Sequence, residues 1–220
     1  MIAKQIITET IPNLLPTDTV SRAINLMETY KVSHLPIVFN NDFLGLISET
    51  DLLDLNNNDA IINNKLIIND KFILENQHIY DVINSFVDDK LSLLPVLNNK
   101  QKYIGSIVLP DLLSALKQTI SIEDLGGIIV LETAYNDYSL TEIANIVESE
   151  NIKIISLYIN TKKQLHKIHI TIKLNTDDIL PIIKSFERYN YNIKAVFSNN
   201  KTSNEFYNDR LDELLFYLNI

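Results

Sequence analysis

The chain has 220 residues, 46% of them hydrophobic, which is enough for one to three small domains with packed cores. It contains no cysteine, so disulfides, thiolate nucleophiles and cysteine-ligated metal centres are excluded. Its formal net charge of −9 at pH 7 repels nucleic acid and anionic membranes on average, and neither is an expected partner.

The opening stretch "MIAKQIITETIPNLLP" carries Glu9 and no sustained apolar run, so it does not read as a signal peptide. No later stretch approaches the roughly 18 apolar residues of a membrane span. A cytoplasmic protein is expected. After the turn "LPTDT", with Thr17 or Asp18 as N-cap, the apolar residues Val20, Ala23, Ile24 and Met27 follow helical spacing. A short β-rich run, "HLPIVF", comes next, then the polar turn "NNDF", a second strand "LGLIS" and a short helix "ETDLLDL".

The same elements then return. Val20, Ala23 and Met27 match Ile79, Val82 and Phe86, and Lys31 matches Lys90. Leu35 and Pro36 match Leu94 and Pro95, Gly45 matches Gly105, and Asp51 matches Asp111. The offset is 59 residues before the Asn-rich turn and 60 after it, so one inserted loop residue accounts for the change. Each unit reads β-α-β-β-α with its first strand upstream of the turn, over residues 1–60 and 61–122. One unit is too small to bury its own sheet, and two pack face to face.

Gly126 and Gly127 mark a break. Beyond them "GIIVLE" is a strand, and "SLTEIANIVESE" is a helix with Ser139 and Glu142 as a capping box. The apolar face of that helix reads Leu140, Ile143, Ala144 and Val147. "IKIISLYI" is a strand, and "LHKIHITIKL" alternates His166, Ile168, Ile170 and Ile172 as another. "TDDILPIIKSFERYNY" is a helix with Pro181 near its first turn, and "NIKAVF" closes as a strand. Residues 126–198 therefore form a ferredoxin-like βαββαβ unit, and the chain is a mixed α/β (α+β) protein. The tail, residues 201–220, sets Phe206, Leu211, Leu214, Leu215 and Leu218 near helical spacing. It reads as an amphipathic helix that docks on the protein, on its dimer mate or in a partner groove.

The tandem units resemble a pair of CBS domains, also called a Bateman module. The marks are the strand with a central proline and the pattern G-h-x-[ST]-x-x-D, which "GLISETD" (residues 45–51) meets at every defined position. The resemblance implies an adenosine-type ligand in the cleft between the units. Asp51 would accept the ribose hydroxyls, Ser48 would face the phosphate, and the backbone near His34 and Pro36 would line the adenine pocket. A carboxylate accepts only, so it suits two hydroxyl donors, and Gly45 lets a ligand approach the backbone. The same atoms also read as a capping box, Ser48 with Asp51. The second copy, "GSIVLPD", keeps Gly105 and Asp111 but has Val108 in place of the hydroxyl, so Asp111 either holds a ribose more weakly or only caps a helix. Glu49 beside Ser48 is expected to point outward. A phosphate about 4 Å from it would meet about 4 kcal/mol of repulsion at an effective dielectric of about 20. Lys31 or Lys90 would have to compensate, and AMP or a less charged adenosine ranks above ADP and ATP.

The second half resembles an ACT domain, most closely in "GGIIVLETAYNDYSLTEIANIVESENIKIISLYI", as in bacterial CBS–ACT proteins of the acetoin-utilisation regulator type. This implies dimerisation and, in some members, an amino-acid ligand. The turn "TAYNDYS" lacks the glycine such sites often carry, so Asn136 and Asp137 form a possible amino-acid site or local turn chemistry. No Gly-rich phosphate loop and no G-x-S-x-G occurs. His166 and His169 fall on opposite faces of a strand, so they make a poor metal pair, and no metal is expected. Asp88, Asp89, Asp177 and Asp178 read as helix-end caps. The expectation is a non-enzymatic regulatory module, homodimeric, that senses an adenosine-type nucleotide and acts on its own ACT-like half or on a protein partner. A ligand-free structural dimer or interaction protein, and an ACT-type amino-acid sensor, are the alternatives.

Overall fold

The computed structural model describes residues 1–8, 10–55, 60–62, 71–162 and 167–199. The expected tail helix and His166 lie outside them. The chain divides into two compact units, Met1–Thr119 and Ile120–Ile220.

In the first unit, helix α1 (Val20–Tyr30) buries Val20, Ala23 and Met27, as their spacing predicts. Its N-cap is Thr19 rather than Thr17 or Asp18. Thr19 has the extended backbone a cap needs, and its side chain accepts from Arg22 N at 3.3 Å. Asp18 instead accepts from Leu15 N and pairs with Arg22. The chain leaves α1 through Lys31 in the left-handed region and forms the hairpin β1 (His34–Phe39) and β2 (Asp42–Ser48). Asn40 and Asn41, both at positive φ, make the turn, and this is the twist such hairpins prefer. Helix α2 (Glu49–Leu53) follows directly.

The second copy repeats the plan with β3 (Ile73–Leu74), α3 (Ile79–Asp88), β4 (Leu93–Leu97), β5 (Tyr103–Val108) and α4 (Leu109–Thr119). Lys90 repeats the left-handed backbone of Lys31, and each hairpin has a register shift at the same place, Ile37/Val38 and Val96/Leu97. Strand β3 runs parallel to β4. In the first copy that upstream strand is reduced to one bridge, from Leu14 to Ile37.

The copies exchange their leading segments. Ala3 N and Lys4 N donate to Gln77 O and Glu75 O, and Ile79 N donates to Met1 O. In return Ile62 N donates to Asp18 O, and Val20 N donates to Ala60 O. Residues 1–8 thus serve the second copy and residues 60–62 the first, across the sequence divide near residue 60. One continuous core results, with Leu35 and Ile47 from the first copy beside Leu94 and Ile107 from the second. Equivalent residues meet at the centre of the pair. Ser33 N donates to Ser92 Oγ at 2.9 Å, and Asp42 pairs with Lys102.

The second unit is a four-stranded antiparallel sheet of β6 (Ile128–Ala134), β7 (Ile154–Lys162), β8 (Lys167–Leu174) and β9 (Asn192–Phe197), in the order β7-β8-β6-β9. With α5 (Leu140–Ser149) after β6 and α6 (Leu180–Arg188) after β8, this is the ferredoxin-like arrangement. Ile168, Ile170, Ile172 and Leu174 of β8 share one core with Ile143 and Val147 of α5 and with Ile183 and Phe186 of α6. Leu140 is half exposed, and Ile146 takes the place expected for it in the core. Ser139 caps α5 through Glu142 N (3.3 Å), but the Glu142 carboxylate accepts from Tyr191 Oη (2.5 Å) instead of closing the box. Burial first, and the bond to Glu142 second, push the Tyr191 phenol upward. Of the paired aspartates, Asp89 is the C-cap residue of α3 and pairs with Lys71 at 3.0 Å, whereas the N-cap of α6 is Ile179, without a side-chain bond, and not Asp177 or Asp178.

The glycine pair is a tight seam. Gly126 has φ +151°, and a Cβ there would lie 1.8 Å from Leu174 O. Gly127 N donates to Thr176 O and Leu174 N to Gly127 O, which fixes the entry to β6.

Candidate functional site

Strand β2 ends at Ser48, and the antiparallel register sets His34 opposite it. Helix α2 begins at the next residue, and two N–H groups of its first turn are already engaged, Glu49 N on Ser33 O and Asp51 N on Ser48 Oγ. The capping box closes here. Ser48 Oγ accepts from Asp51 N at 3.2 Å, while Asp51 Oδ2 accepts from Ser48 N at 3.1 Å and from Ser48 Oγ at 2.5 Å. Asp51 Oδ1 has no hydrogen bond among the described residues. Of the expected site residues, His34, Ser48 and Asp51 come together. Pro36 and Gly45 lie buried within the same hairpin, with Gly45 at φ +149° opposite Ile37.

His34 ties this corner to the other copy. Its Nδ1 lies 3.0 Å from Ser92 Oγ and 3.2 Å from Ser33 Oγ, and Ser92 N donates to it at 3.3 Å. A backbone donor requires an acceptor at Nδ1, so the neutral ring carries its proton on Nε2. Burial holds the imidazole below its ordinary value, and the nearby Asp51 carboxylate pulls it partly back. The sign follows. The unfolded chain takes up this proton near pH 6.5 and the folded chain resists it, so stability falls as pH drops below that point. Chemical denaturation between pH 7 and 5.5 should show this loss, at most about 1.4 kcal/mol per pH unit. His34→Asn should flatten that part of the profile, and an unchanged slope in the variant would refute the assignment.

Glu49, expected to face outward, is half-buried, with its N–H on Ser33 O at 2.9 Å. Lys31 and Lys90 are exposed, and both are backbone exits from helices.

Asp111 stands in the first turn of α4, half-buried, with no hydrogen bond or ion pair among the described residues. It lines a cavity of about 270 Å³ together with Gln5, Ile7, Thr8, Ser114 and Gln118. Gln5 and Thr8 arrive with the exchanged leading segment. Thr8 N donates to Ser106 O at 2.8 Å, and Ile7 packs where a Cβ on Gly105 (φ +144°) would sit, 2.4 Å from its Cγ2. At Gly105, then, the chain itself makes the close approach to the backbone. The polar residues Asp111, Ser114 and Gln118 repeat at i, i+3 and i+7, and that stripe was the available sequence signal for this wall. The first-copy residues equivalent to Ile7 and Thr8 lie outside the described set.

In the second unit, Asn136 and Asp137 are exposed in a short turn after β6, with no hydrogen bond or ion pair among the described residues. Glu132, which sequence reading passed over, accepts from Lys167 Nζ (2.8 Å), His169 Nε2 (3.2 Å) and Asn192 Nδ2 (3.3 Å). The Lys167 bond above all, then the His169 bond, hold its carboxyl down to about 2. Among the described residues, no three His, Asp or Glu side chains group to hold a metal, and no helix is long and apolar enough to cross a membrane.

Comparison with known proteins settles the family of the first unit. The model for the CBS domain matches residues 3–57 and again 64–118. The chain belongs to the CBS-domain family. It is 25% identical over 149 residues to the inosine-5'-monophosphate dehydrogenase of Methanocaldococcus jannaschii, which is 67% of this chain but only 30% of that enzyme. Among solved structures, a CBS domain pair/ACT domain protein from Thermotoga maritima is 26% identical with a TM-score of 0.50, covering 55% of this chain and 99% of that one. CBSX2 in complex with AMP is 21% identical with a TM-score of 0.47, covering 54% of this chain and 97% of that one. The Asp51 corner and the Asp111 cavity thus occupy corresponding places in two CBS copies, and their polar equipment differs.

Proposed function

We propose that the CBS pair is a non-catalytic regulatory module that binds an adenosine-type ligand, AMP-like at the Asp51 corner. The observation that carries the reading is the half-buried Asp111 carboxylate on a cavity wall, without a hydrogen bond or ion pair among the described residues. A carboxylate accepts only, so the group that suits it is a donor, such as a ribose diol. At the equivalent place Asp51 has Oδ1 for the same task, and the Ser48 hydroxyl beside it is the group that would meet a phosphate. Half-buried Glu49 favours one phosphate over three.

The signal would pass to a protein partner or to the second half in a cytoplasmic homodimer. That half is read as ACT-like from its βαββαβ order and from the ACT domain named in the Thermotoga maritima protein. Such coupling needs a difference in ligand affinity between two states of the module. A ligand-free structural role is the second reading, and the closed Ser48–Asp51 box favours it.

Calorimetry separates the two. AMP should bind the wild-type chain, and Asp51→Ala should weaken it at least tenfold, about 1.4 kcal/mol, because a hydrogen bond to a charged group is lost. The same substitution should cost about 1 kcal/mol of folding stability under either reading, since it opens the capping box. A stability loss with no heat from AMP would leave the structural role standing.

A further inference from the structure

The helices of the second unit cover one face of its sheet. Ile129 and Leu131 of β6 and Ile168, Ile170 and Ile172 of β8 share a core with α5 and α6. Their alternate neighbours stand on the other face, and the strand registers line these up in rows across the sheet. One row runs Tyr158, Thr171, Val130 and Ala195, from β7 to β9, and the next runs Ser156, Lys173, Ile128 and Phe197. Ile128, Val130, Tyr158, Ala195 and Phe197 belong to neither core cluster of the described residues, and Tyr158 and Phe197 are 54% and 58% exposed. Around these rows lie Lys167 and Lys194, both acting on the Glu132 carboxylate, and Lys173, which donates to Ser121 O and Ile122 O. The face is apolar along its middle and basic at its rim.

The chain itself carries a segment that fits. Strand β9 is an edge strand and ends at Phe197, in the second of these rows. Beyond it, residues 203–218 set Tyr207, Leu211, Leu214 and Leu218 at i, i+4, i+7 and i+11, a single stripe in helical spacing. Glu205, Asp209, Asp212 and Glu213 fall on the opposite side of that pattern. Sixteen residues in a helix are about 24 Å long, and the sheet is about 14 Å from β7 to β9, so the stripe crosses all four strands. The four links from Asn199 to Ser203 span up to about 13 Å, enough to turn from the edge of β9 onto the face.

We infer that residues 203–218 form a helix seated on this open face in the same chain, with its apolar stripe against Tyr158, Val130 and Ile128. The seat is independent of any ligand at the CBS pair. Charge favours this occupant over a second copy. The segment carries four carboxylates against Arg210 and is drawn to the lysine rim, whereas a second copy presenting the same face would set lysine against lysine.

The chain has no cysteine, so single introduced cysteines report on the face in the full-length protein. Tyr158→Cys and Val130→Cys read the face, and Tyr80→Cys, on α3 of the first unit and 66% exposed, is the control. Maleimide labelling at both face positions should speed up at least tenfold when Leu211→Asp and Leu214→Asp are added, with the rate at the control position and the unfolding midpoint unchanged. Tyr158→Cys combined in turn with Leu211→Cys, Leu214→Cys and Leu218→Cys should give, in at least one pair, a disulfide within one chain, seen as a faster-migrating monomer on a non-reducing gel. Labelling that ignores the tail substitutions would overturn the proposal: a fast rate would mean a bare face, and a slow one a different cover. Protection that falls on dilution, or disulfides that join two chains, would give the face to a second copy and overturn the seat within the chain.

Discussion

Gly105→Ala should detach the leading segment from the second CBS copy. The new methyl would stand 2.4 Å from Ile7 Cγ2 and 3.3 Å from Thr8 O, at φ +144°. The backbone conformation alone costs about 1–2 kcal/mol for a residue with a Cβ, and the crowding adds about 1–3 kcal/mol. The total, about 2–5 kcal/mol, is a large share of a typical domain's stability. Hydrogen exchange should show it locally, with the Thr8 amide, bonded to Ser106 O, losing protection before the core of the pair does. Because Ile7 and Thr8 line the Asp111 cavity, Asp111-dependent binding of an adenosine-type ligand should fall with it. Ile7→Ala in the same chain should restore the crowding part and not the backbone part. Wild-type stability together with wild-type exchange at Thr8 would refute the account.

The second large effect is expected at Gly126. Its missing Cβ would lie 1.8 Å from Leu174 O and 2.9 Å from Leu174 C, so the obstacle is backbone and cannot rotate away. Leu174 is itself pinned, its N–H on Gly127 O at 2.9 Å. Gly126→Ala should cost at least about 3 kcal/mol, combining overpacking with strain at φ +151°. The loss should appear as faster amide exchange in β6 and β8, while the CBS pair keeps its protection. Gly127→Ala meets Ile179 side-chain atoms first, at 2.5 and 3.0 Å, and should cost less. Equal losses at the two positions would contradict this ranking.

Much of the fold was legible because its signals are local. The proline-centred strands, the Asn turns and the repeat offset gave both CBS copies, and the alternation of Ile168, Ile170 and Ile172 gave the central strand of the second sheet. The match of Lys31 with Lys90 was also visible, but its cause was hidden. Both residues take the left-handed exit usually given to glycine, and a lysine there carries no such label. What failed was non-local. Glu142 was expected to close its own helix cap, and Tyr191, far along the chain, takes its carboxylate. The exchange of leading segments could not be read either, because no pattern in residues 1–8 names Gln77 or Ser106 as a partner.

The site divides in the same way. His34, Ser48 and Asp51 were legible through the family motif and do meet at one corner. Gln5 and Thr8 were invisible until the chain crossing placed them beside Asp111. Ser92 holds the place of Ser33 in the second copy, and its contact with the His34 ring depends on how the two copies meet.

The meeting of Asp42 with Lys102 has one more consequence. These two residues are equivalent under the repeat, so they face each other across the pair's internal dyad. Two identical copies would set aspartate against aspartate there, or lysine against lysine, and like charges in contact repel. The chain avoids this by giving the halves opposite sign at the point where symmetry forces them together. At this contact each half is therefore complementary in charge to the other and not to a duplicate of itself, within a single polypeptide.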